Sequence, residues 1–268
     1  MILKLMKKKQ KINSQGTTGK SVAIILAAGE GSRMGKVNVN KTALPFAGRP
    51  IITYGVELFS RIAATVVVVV GAFAQSVKKS LRFHTVLYAR QKRRLGTGHA
   101  VKVALPYLPS STDQVFVGYG DHLMFYKVTT IRRLGKLRRQ RRAAVALITT
   151  CHSEPKKLAW GRILRDNKGN FLGIVEQKDA SRKERKIKEL NAGLYCFDYK
   201  FLRENIKKIK KSPVSGEYYL TDLIKIAVGK NLPVVAFTVP FSQVGLGVNK
   251  QEEYELSQKM FLKSHKEK

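Results

Sequence analysis

Val22 to Gly35 reads VAIILAAGEGSRMG, and this stretch decides the fold. Its first half is a short apolar run rich in β-branched residues, the composition of a buried strand. In its second half, Ala27, Ala28, Gly29 and Gly31 have almost no side chain to keep a polyanion from backbone N–H groups. That is the composition of a cradle for nucleotide phosphates, and Arg33 and Lys41 add positive charge beside it. A tight turn of small residues after a strand would look the same, so the flanking sequence has to decide. The stretch is not a dinucleotide fingerprint, because its third glycine, Gly35, falls one position late and no helix-forming run follows. Upstream, SQGTTGKS at Ser14 to Ser21 ends like a P-loop, but Ser14 stands in place of the first glycine and the segment leads into a strand rather than out of one.

Outward from the cradle, apolar runs alternate with helical patterns. Val22 to Leu26, Ala64 to Gly71, Thr85 to Tyr88, Val115 to Gly118 and Ala144 to Thr149 read as strands; Ile51 to Ile62, Ala74 to Leu81, Thr97 to Leu105 and Thr130 to Arg142 read as helices. Strands separated by helices of this length predict an α/β fold, a Rossmann-like, mixed but mostly parallel sheet with helices on both faces. From Trp160 the pattern changes. GRILRD and FLGIVEQ, joined by a turn over Asn167 to Asn170, predict a small antiparallel hairpin that covers the substrate site. Leu190 to Phe197 and Val234 to Val239 read as further strands, with helices over Phe201 to Ile209 and Tyr219 to Val228. Three parts are expected: a basic flexible tail over 1–20, one catalytic domain over 21–250, and a charged helix over 251–268 that frays into solvent.

The 268 residues, 44% of them hydrophobic, suffice for a substantial core. The longest apolar run, Ile62 to Val70, is far shorter than the ~20 residues of a membrane-crossing helix. The N-terminus has its lysines after its apolar residues, the reverse of a secretory signal. Two cysteines, Cys151 and Cys196, both beside strand-like runs, predict reduced and buried thiols and a cytoplasmic setting. The formal charge of +33 would draw any polyanion, in a salt-dependent way. Its dense runs, Arg132 to Arg142, Arg182 to Lys188 and Lys207 to Lys211, carry no interleaved aromatic residues of the kind a single-strand-binding platform uses. They read either as a solvated basic surface or as a face for nucleic acid or anionic lipid.

Asp121 closes VFVGYGD at the expected carboxyl end of a parallel strand, where ligands of such sheets bind and where a carboxylate suits Mg2+. His122 beside it is given no role. Glu176, Asn191 and Asn249 each stand where an extended segment ends or bends. With the cradle, these residues belong to an ordered series: QKRRLGTGHA (Gln91 to Ala100), VGYGD (Val117 to Asp121), WGRI (Trp160 to Ile163), GIVEQKDA (Gly173 to Ala180), ELNAGLYCFD, SGEYYLTD (Ser215 to Asp222) and GVN (Gly247 to Asn249). From about Ser21 to about Glu255 the sequence resembles the uridyltransferase part of the bacterial bifunctional enzymes that make UDP-N-acetylglucosamine.

The resemblance implies a Mg2+-dependent sugar-1-phosphate nucleotidyltransferase acting on UTP and N-acetylglucosamine 1-phosphate, a UDP-N-acetylglucosamine diphosphorylase. Leu26, Ala27, Ala28 and Gly29 would line the nucleotide; Gln91, Gly96 and Thr97 would read uracil and hold the sugar; Tyr119 and Gly120 would flank the ribose. Gly161, Glu176, Asn191 and Asn249 would bind the sugar side, Asp121 and Asn249 would hold Mg2+, and Arg33 and Lys41 would be the catalytic cations. An amide such as Gln91 offers a uracil edge both donor and acceptor. The sequence departs from the family pattern at Asn40, where proline is usual, at Arg94 for glutamine, Trp160 for tyrosine and Ala192 for threonine, and the segment from Gly29 to Lys41 is about one residue longer. No hexapeptide repeats of an acetyltransferase β-helix occur, so no acetyl transfer and a monomer are expected. Two alternatives stay open: a pyrophosphorylase for another sugar phosphate or nucleotide, and an inactive, basic, nucleic-acid-associated protein.

Overall fold

Val66 to Val70 lie at or near zero exposure inside a sheet of nine strands, which is where a run of β-branched residues with no polar face has to go. A computed structural model describes residues 21–29 and 39–266. In chain order the first half comprises β1 (Ser21–Ala27), a two-strand ribbon of β2 (Pro45–Phe46) and β3 (Arg49–Pro50), α1 (Ile51–Ser60), β4 (Thr65–Val70), α2 (Ala74–Ser80), β5 (Leu87–Arg90), α3 (Thr97–Ala104), β6 (Gln114–Tyr119) and α4 (Val128–Gln140). The second half comprises β7 (Val145–Cys151), β8 (Arg162–Arg165), β9 (Phe171–Val175), β10 (Glu189–Asp198), α5 (Tyr199–Asn205), α6 (Asp222–Gly229), β11 (Val234–Thr238) and α7 (Gln251–Lys266).

The main sheet runs β11-β7-β10-β6-β1-β4-β5. β1 is parallel to both β4 and β6, β5 to β4, and β11 to β7. Only β10 along this path runs against its neighbours. The α/β class and the mostly parallel sheet are therefore as the sequence predicts. The hairpin is present too, as β8 and β9, but it is continuous with the main sheet through Leu190 opposite Arg162.

The two faces of the sheet fill separate cores. Val22 and Ile24 point to one side with Val67, Val69, Val115 and Val117, and are covered by residues of α3, α5 and α6. Ala23, Ile25 and Ala27 point to the other with Val66, Val68 and Phe116, covered by α1, α2 and α4. At roughly 1.5–3 kcal/mol for each fully buried aliphatic side chain, this alternation fixes the register, because a one-residue slip would exchange the faces.

Several expectations shift. Thr85 to Tyr88 is replaced by Leu87–Arg90, in register with Val67 to Val70, so that Gln91 stands just past the strand and its N–H donates to the Val70 carbonyl at 2.8 Å. The helix expected from Tyr219 starts at Asp222, because Tyr218 and Leu220 spend their backbone groups on Leu95, Gly98 and the Thr97 hydroxyl. α7 does not fray from its start: Phe261 is buried with Phe46, Tyr54 and Phe125, and Ser257 donates to the Leu246 carbonyl at 2.9 Å. Cys196 is buried, with its thiol pushed up to about 12 by desolvation, whereas Cys151 is exposed at the end of β7. The basic run of α4 is not all solvated either, since Arg138 is buried and pairs with Asp198 at 2.9 Å and Asp113 at 3.1 Å. No helix among the described residues is long and apolar enough to cross a membrane.

Candidate active site

The chain leaves β1 toward β4 on one side and returns to β6 on the other, so the carboxyl ends of β1 and β6 flank a point where the connections diverge. Ligands of open α/β sheets bind at such points. A cleft of about 670 Å³ lies there. Its floor is Leu26, Ala28 and Gly29 from the end of β1, with Tyr119 and Asp121 from the end of β6. Gly71, at the end of β4, lets the chain pass the cradle, since a Cβ on it would lie 2.5 Å from the Ala28 carbonyl oxygen.

One end of the cleft is charged. Lys41 lies on a short 3-10 turn (Lys41–Ala43), and its Nζ donates to Asp121 Oδ2 and, at 2.9 Å, to Asn249 Oδ1. The two partners are tied to each other's segment and to α7. The Asp121 carbonyl accepts from Val248 N–H at 3.1 Å, and Asn249 N–H donates to the Glu253 carboxylate in the first turn of α7 at 2.9 Å.

Asn40, read from the sequence only as a departure, holds this end together. It is fully buried. Its Nδ2 donates to the carbonyls of Ala27 at 3.0 Å, Gly29 at 2.8 Å and Ala72 at 3.2 Å, while its Oδ1 accepts from the Thr42 N–H and hydroxyl. One amide thus ties the start of the cradle, the exit of β4 and the turn that carries Lys41. A proline could make none of these bonds.

The other end carries the Glu176 carboxyl, a Lys178–Glu217 ion pair at 3.3 Å and a set of neutral hydrogen-bonding groups. The ladder between β10 and β7 shifts register between Asn191 and Tyr195, with Gly193 at φ +70° inside the irregularity, and this presents Asn191 to the cleft. Asn191 Nδ2 donates to the buried Tyr195 hydroxyl at 2.6 Å, and its Oδ1 accepts from Gly193 N–H at 3.2 Å. Burial raises the pKa of the Tyr119 and Tyr195 phenols, so both stay neutral hydrogen-bonding groups. Glu176 follows β9, with its Oε1 accepting from the Thr221 hydroxyl at 2.9 Å, and burial pushes its carboxyl above the ordinary range. Gly161 faces it across the hairpin: a Cβ there would lie 3.5 Å from Glu176 Oε2. The fully buried Arg162 donates to the carbonyls of Pro155 and Leu158 at 2.7 and 3.1 Å, and to that of Trp160, which fixes the segment carrying Trp160 and Gly161.

Between the ends, Gln91 is almost buried and spends its amide N–H groups on the Gly96 carbonyl at 3.1 Å and His99 Nδ1 at 3.0 Å. What it can still offer a base is therefore its acceptor, Oε1, rather than the donor and acceptor together. Gly96, at φ +102°, lies so close to the Tyr218 backbone that a Cβ would sit 2.5 Å from its carbonyl oxygen. The Thr97 hydroxyl accepts from Leu220 N–H at 2.9 Å.

The structure gathers Leu26, Ala28, Gly29, Lys41, Gln91, Gly96, Thr97, Tyr119, Asp121, Gly161, Glu176, Asn191 and Asn249 in one cleft. Ala27 and Gly120 are not on its wall. Ala27 is buried beneath the cradle, and Gly120 donates to the Leu26 carbonyl at 2.9 Å and packs against Ile25 and Ile52. Arg33 lies outside the described residues. Among the family departures, Ala192 faces the core and its carbonyl accepts from the Tyr126 hydroxyl, whereas Arg94 and Trp160 line the cleft. His122 also lines it, buried 4.6 Å from the Trp160 ring with Nε2 donating to the Gly245 carbonyl at 3.2 Å, and burial lowers its pKa. Its position on the wall could have been read from its place one residue after the strand-end Asp121.

A cradle of small residues at the carboxyl edge of a mostly parallel sheet, facing a pocket of hydrogen-bonding groups, is the arrangement of a nucleotidyltransferase. A family model for the MobA-like NTP transferase domain matches residues 23–187, and the chain belongs to that family. It is 38% identical over 251 residues to a Caldicellulosiruptor saccharolyticus relative named Bifunctional protein GlmU, covering 92% of this chain and 53% of that one. A Clostridioides difficile relative of the same name is 38% identical over 232 residues, covering 86% of this chain and 49% of its own length. The chain thus spans about half the length of these relatives. Among solved structures, a Bacillus anthracis protein assigned as a glucose-1-phosphate thymidylyltransferase, in complex with sucrose, shares the fold with a TM-score of 0.72 at 19% identity, covering 90% of this chain and 95% of its own.

Proposed function

We propose that this chain joins UTP and N-acetylglucosamine 1-phosphate into UDP-N-acetylglucosamine and pyrophosphate. The observation that carries the reading is the division of one cleft into an end that holds the Lys41 ammonium beside the cradle and a hydrogen-bonding end around Asn191 and Glu176. A triphosphate suits the first, a hydroxyl-rich N-acetylated sugar the second.

In this reading the sugar phosphate attacks the α-phosphorus of UTP in line. The new bond forms from a phosphate oxygen, the bond to the β-phosphate bridging oxygen breaks, and pyrophosphate leaves. The attacking oxygen is already ionised, so no general base is needed, and positioning with charge neutralisation does the work. Leu26, Ala28 and Gly29 receive the triphosphate, Lys41 and Arg33 stabilise the leaving group, and the Gln91 acceptor meets the imino N–H of uracil. Asn191 and Glu176 receive the sugar hydroxyls and acetamido N–H.

No group of three or more His, Cys, Asp or Glu side chains converges among the described residues. Asp121 and Asn249 offer a carboxylate and an amide oxygen, a donor set that fits Mg2+, which takes few protein ligands beside phosphate oxygens and water. A cation already lies on both oxygens, the Lys41 ammonium. When bound there, Mg2+ would supply charge neutralisation at the reacting phosphates.

The test is pyrophosphate release with UTP, N-acetylglucosamine 1-phosphate and Mg2+, run beside glucose 1-phosphate and the other nucleoside triphosphates. Selective release with the named pair is expected. Release with another pair would move the substrate assignment, and Arg94 on the cleft wall makes the base the place to look first. Absence of release with every pair, joined to salt-dependent RNA or DNA binding, would favour the nucleic-acid reading.

A further inference from the structure

Asp121 and Asn249 stand 80 and 208 residues from Lys41 in the chain; the buried Asn40 amide holds the turn that carries Lys41, Val248 N–H ties Asp121 to the segment of Asn249, and the Glu253 carboxylate holds the Asn249 N–H. The lysine and aspartate side chains are only 16% and 12% exposed. The ammonium therefore occupies a prepared place, on the same two oxygens that the proposed function gives to a divalent cation.

We infer that Lys41 is the resident counter-ion of that site, and that its ammonium and a divalent cation take Asp121 and Asn249 in mutual exclusion. The inference rests on the reading of those two residues as cation ligands. An ammonium within hydrogen-bond distance of both oxygens points its charge at the position a metal ion must enter, and like charges so close in a sheltered cleft repel strongly. Without nucleotide, a metal ion has to displace Lys41 and leave its charge without a partner. With a triphosphate in the cradle, Lys41 exchanges its carboxylate for phosphate oxygens, and the same movement that frees the metal ligands brings a cation to the phosphates. Metal and nucleotide then bind with positive coupling, each easing entry of the other.

The probe is Mn2+ alone, titrated into nucleotide-free protein and followed by the electron paramagnetic resonance signal of the free ion. Lys41→Met is expected to bind Mn2+ at least tenfold more tightly than wild type, and Asp121→Asn added to Lys41→Met should abolish that gain. Lys178→Met, which removes a lysine of the same cleft that pairs with Glu217 at 3.3 Å, should behave as wild type. Equal tightening in Lys178→Met would assign the effect to bulk charge and overturn the exchange. Equal affinity in wild type and Lys41→Met, still lost with Asp121→Asn, would overturn the exchange and leave the cation site standing. Affinity indifferent to Asp121→Asn in every background would overturn both.

A second measurement needs no variant. Mn2+ should raise acetylation of Lys41 by acetic anhydride in wild-type protein, read by peptide mass spectrometry. Unchanged labelling at saturating Mn2+ would overturn the exchange.

Discussion

The two ends of the cleft solve opposite problems. Beside the cradle, one lysine rests on a side-chain carboxylate and amide, set on a turn that one buried amide pins in place. At the sugar end, nothing is meant to move. Asn191, Tyr195 and Gly193 are bound into a buried network of neutral groups, and Glu176 is held apart from it by the Thr221 hydroxyl. A polyanion that arrives and departs in pieces needs cations that can change partners, whereas a neutral sugar is recognised by donors and acceptors already fixed in place.

The sharpest way to break this contrast is Lys41→Ala. Turnover should fall by about 10²–10³-fold, as when one transition-state charge contact is lost, with the thermal midpoint nearly unchanged. Pyrophosphate release beside a melting curve checks both halves, and unchanged turnover would remove Lys41 from the mechanism. Asn40→Ala comes next, because it strands the buried Ala27 carbonyl, releases those of Gly29 and Ala72 and loosens the turn under Lys41. It should cost about 2–3 kcal/mol in urea unfolding and lower kcat about tenfold while leaving the KM for sugar phosphate alone.

Tyr195→Phe tests the other end. It removes the acceptor of Asn191, at 2.6 Å, and a longer contact with the Tyr119 hydroxyl at 3.5 Å, so a loss of about 1 kcal/mol should raise the KM for the sugar phosphate about fivefold and leave that for UTP as it was. A change in both would show that the ends are not separable.

The smallest effect is a pH dependence. Burial raises the Glu176 carboxyl pKa over that of the unfolded chain. A carboxyl of this kind contributes most to stability in acid, and the contribution is lost as pH rises through the raised folded value. Glu176→Gln, neutral throughout, should therefore gain stability relative to wild type as pH rises from about 4, the unfolded range, through the raised folded value. Urea midpoints of the two proteins across that range would show parallel curves if the carboxyl were not desolvated.

The phosphate end was the more legible in sequence, because a cradle is built from consecutive residues. Small side chains after an apolar strand announce it locally, as does an acid at the end of VFVGYGD. Its support was not legible. Asn40 differs from the usual proline at one position, and only the approach of Ala27, Gly29, Ala72 and Thr42 shows what its amide does. The sugar end was legible through motif resemblance alone. Asn191 faces the cleft because of a register shift between two strands, and its partner Tyr195 sits in an apolar run that reads as core.

The sequence by itself determined the alternation of elements, the two-faced core and the residue types along the cleft, since periodicity and composition are properties of neighbours in the chain. Tertiary structure alone decided that the Gln91 amide N–H groups are spent on Gly96 and His99, that Ala27 and Gly120 support rather than line the cleft, that α7 anchors Asn249, and that Lys41 rests on Asp121 and Asn249. Each of these depends on which groups from distant segments come within hydrogen-bond distance, and that is fixed only when the faces of the sheet are packed.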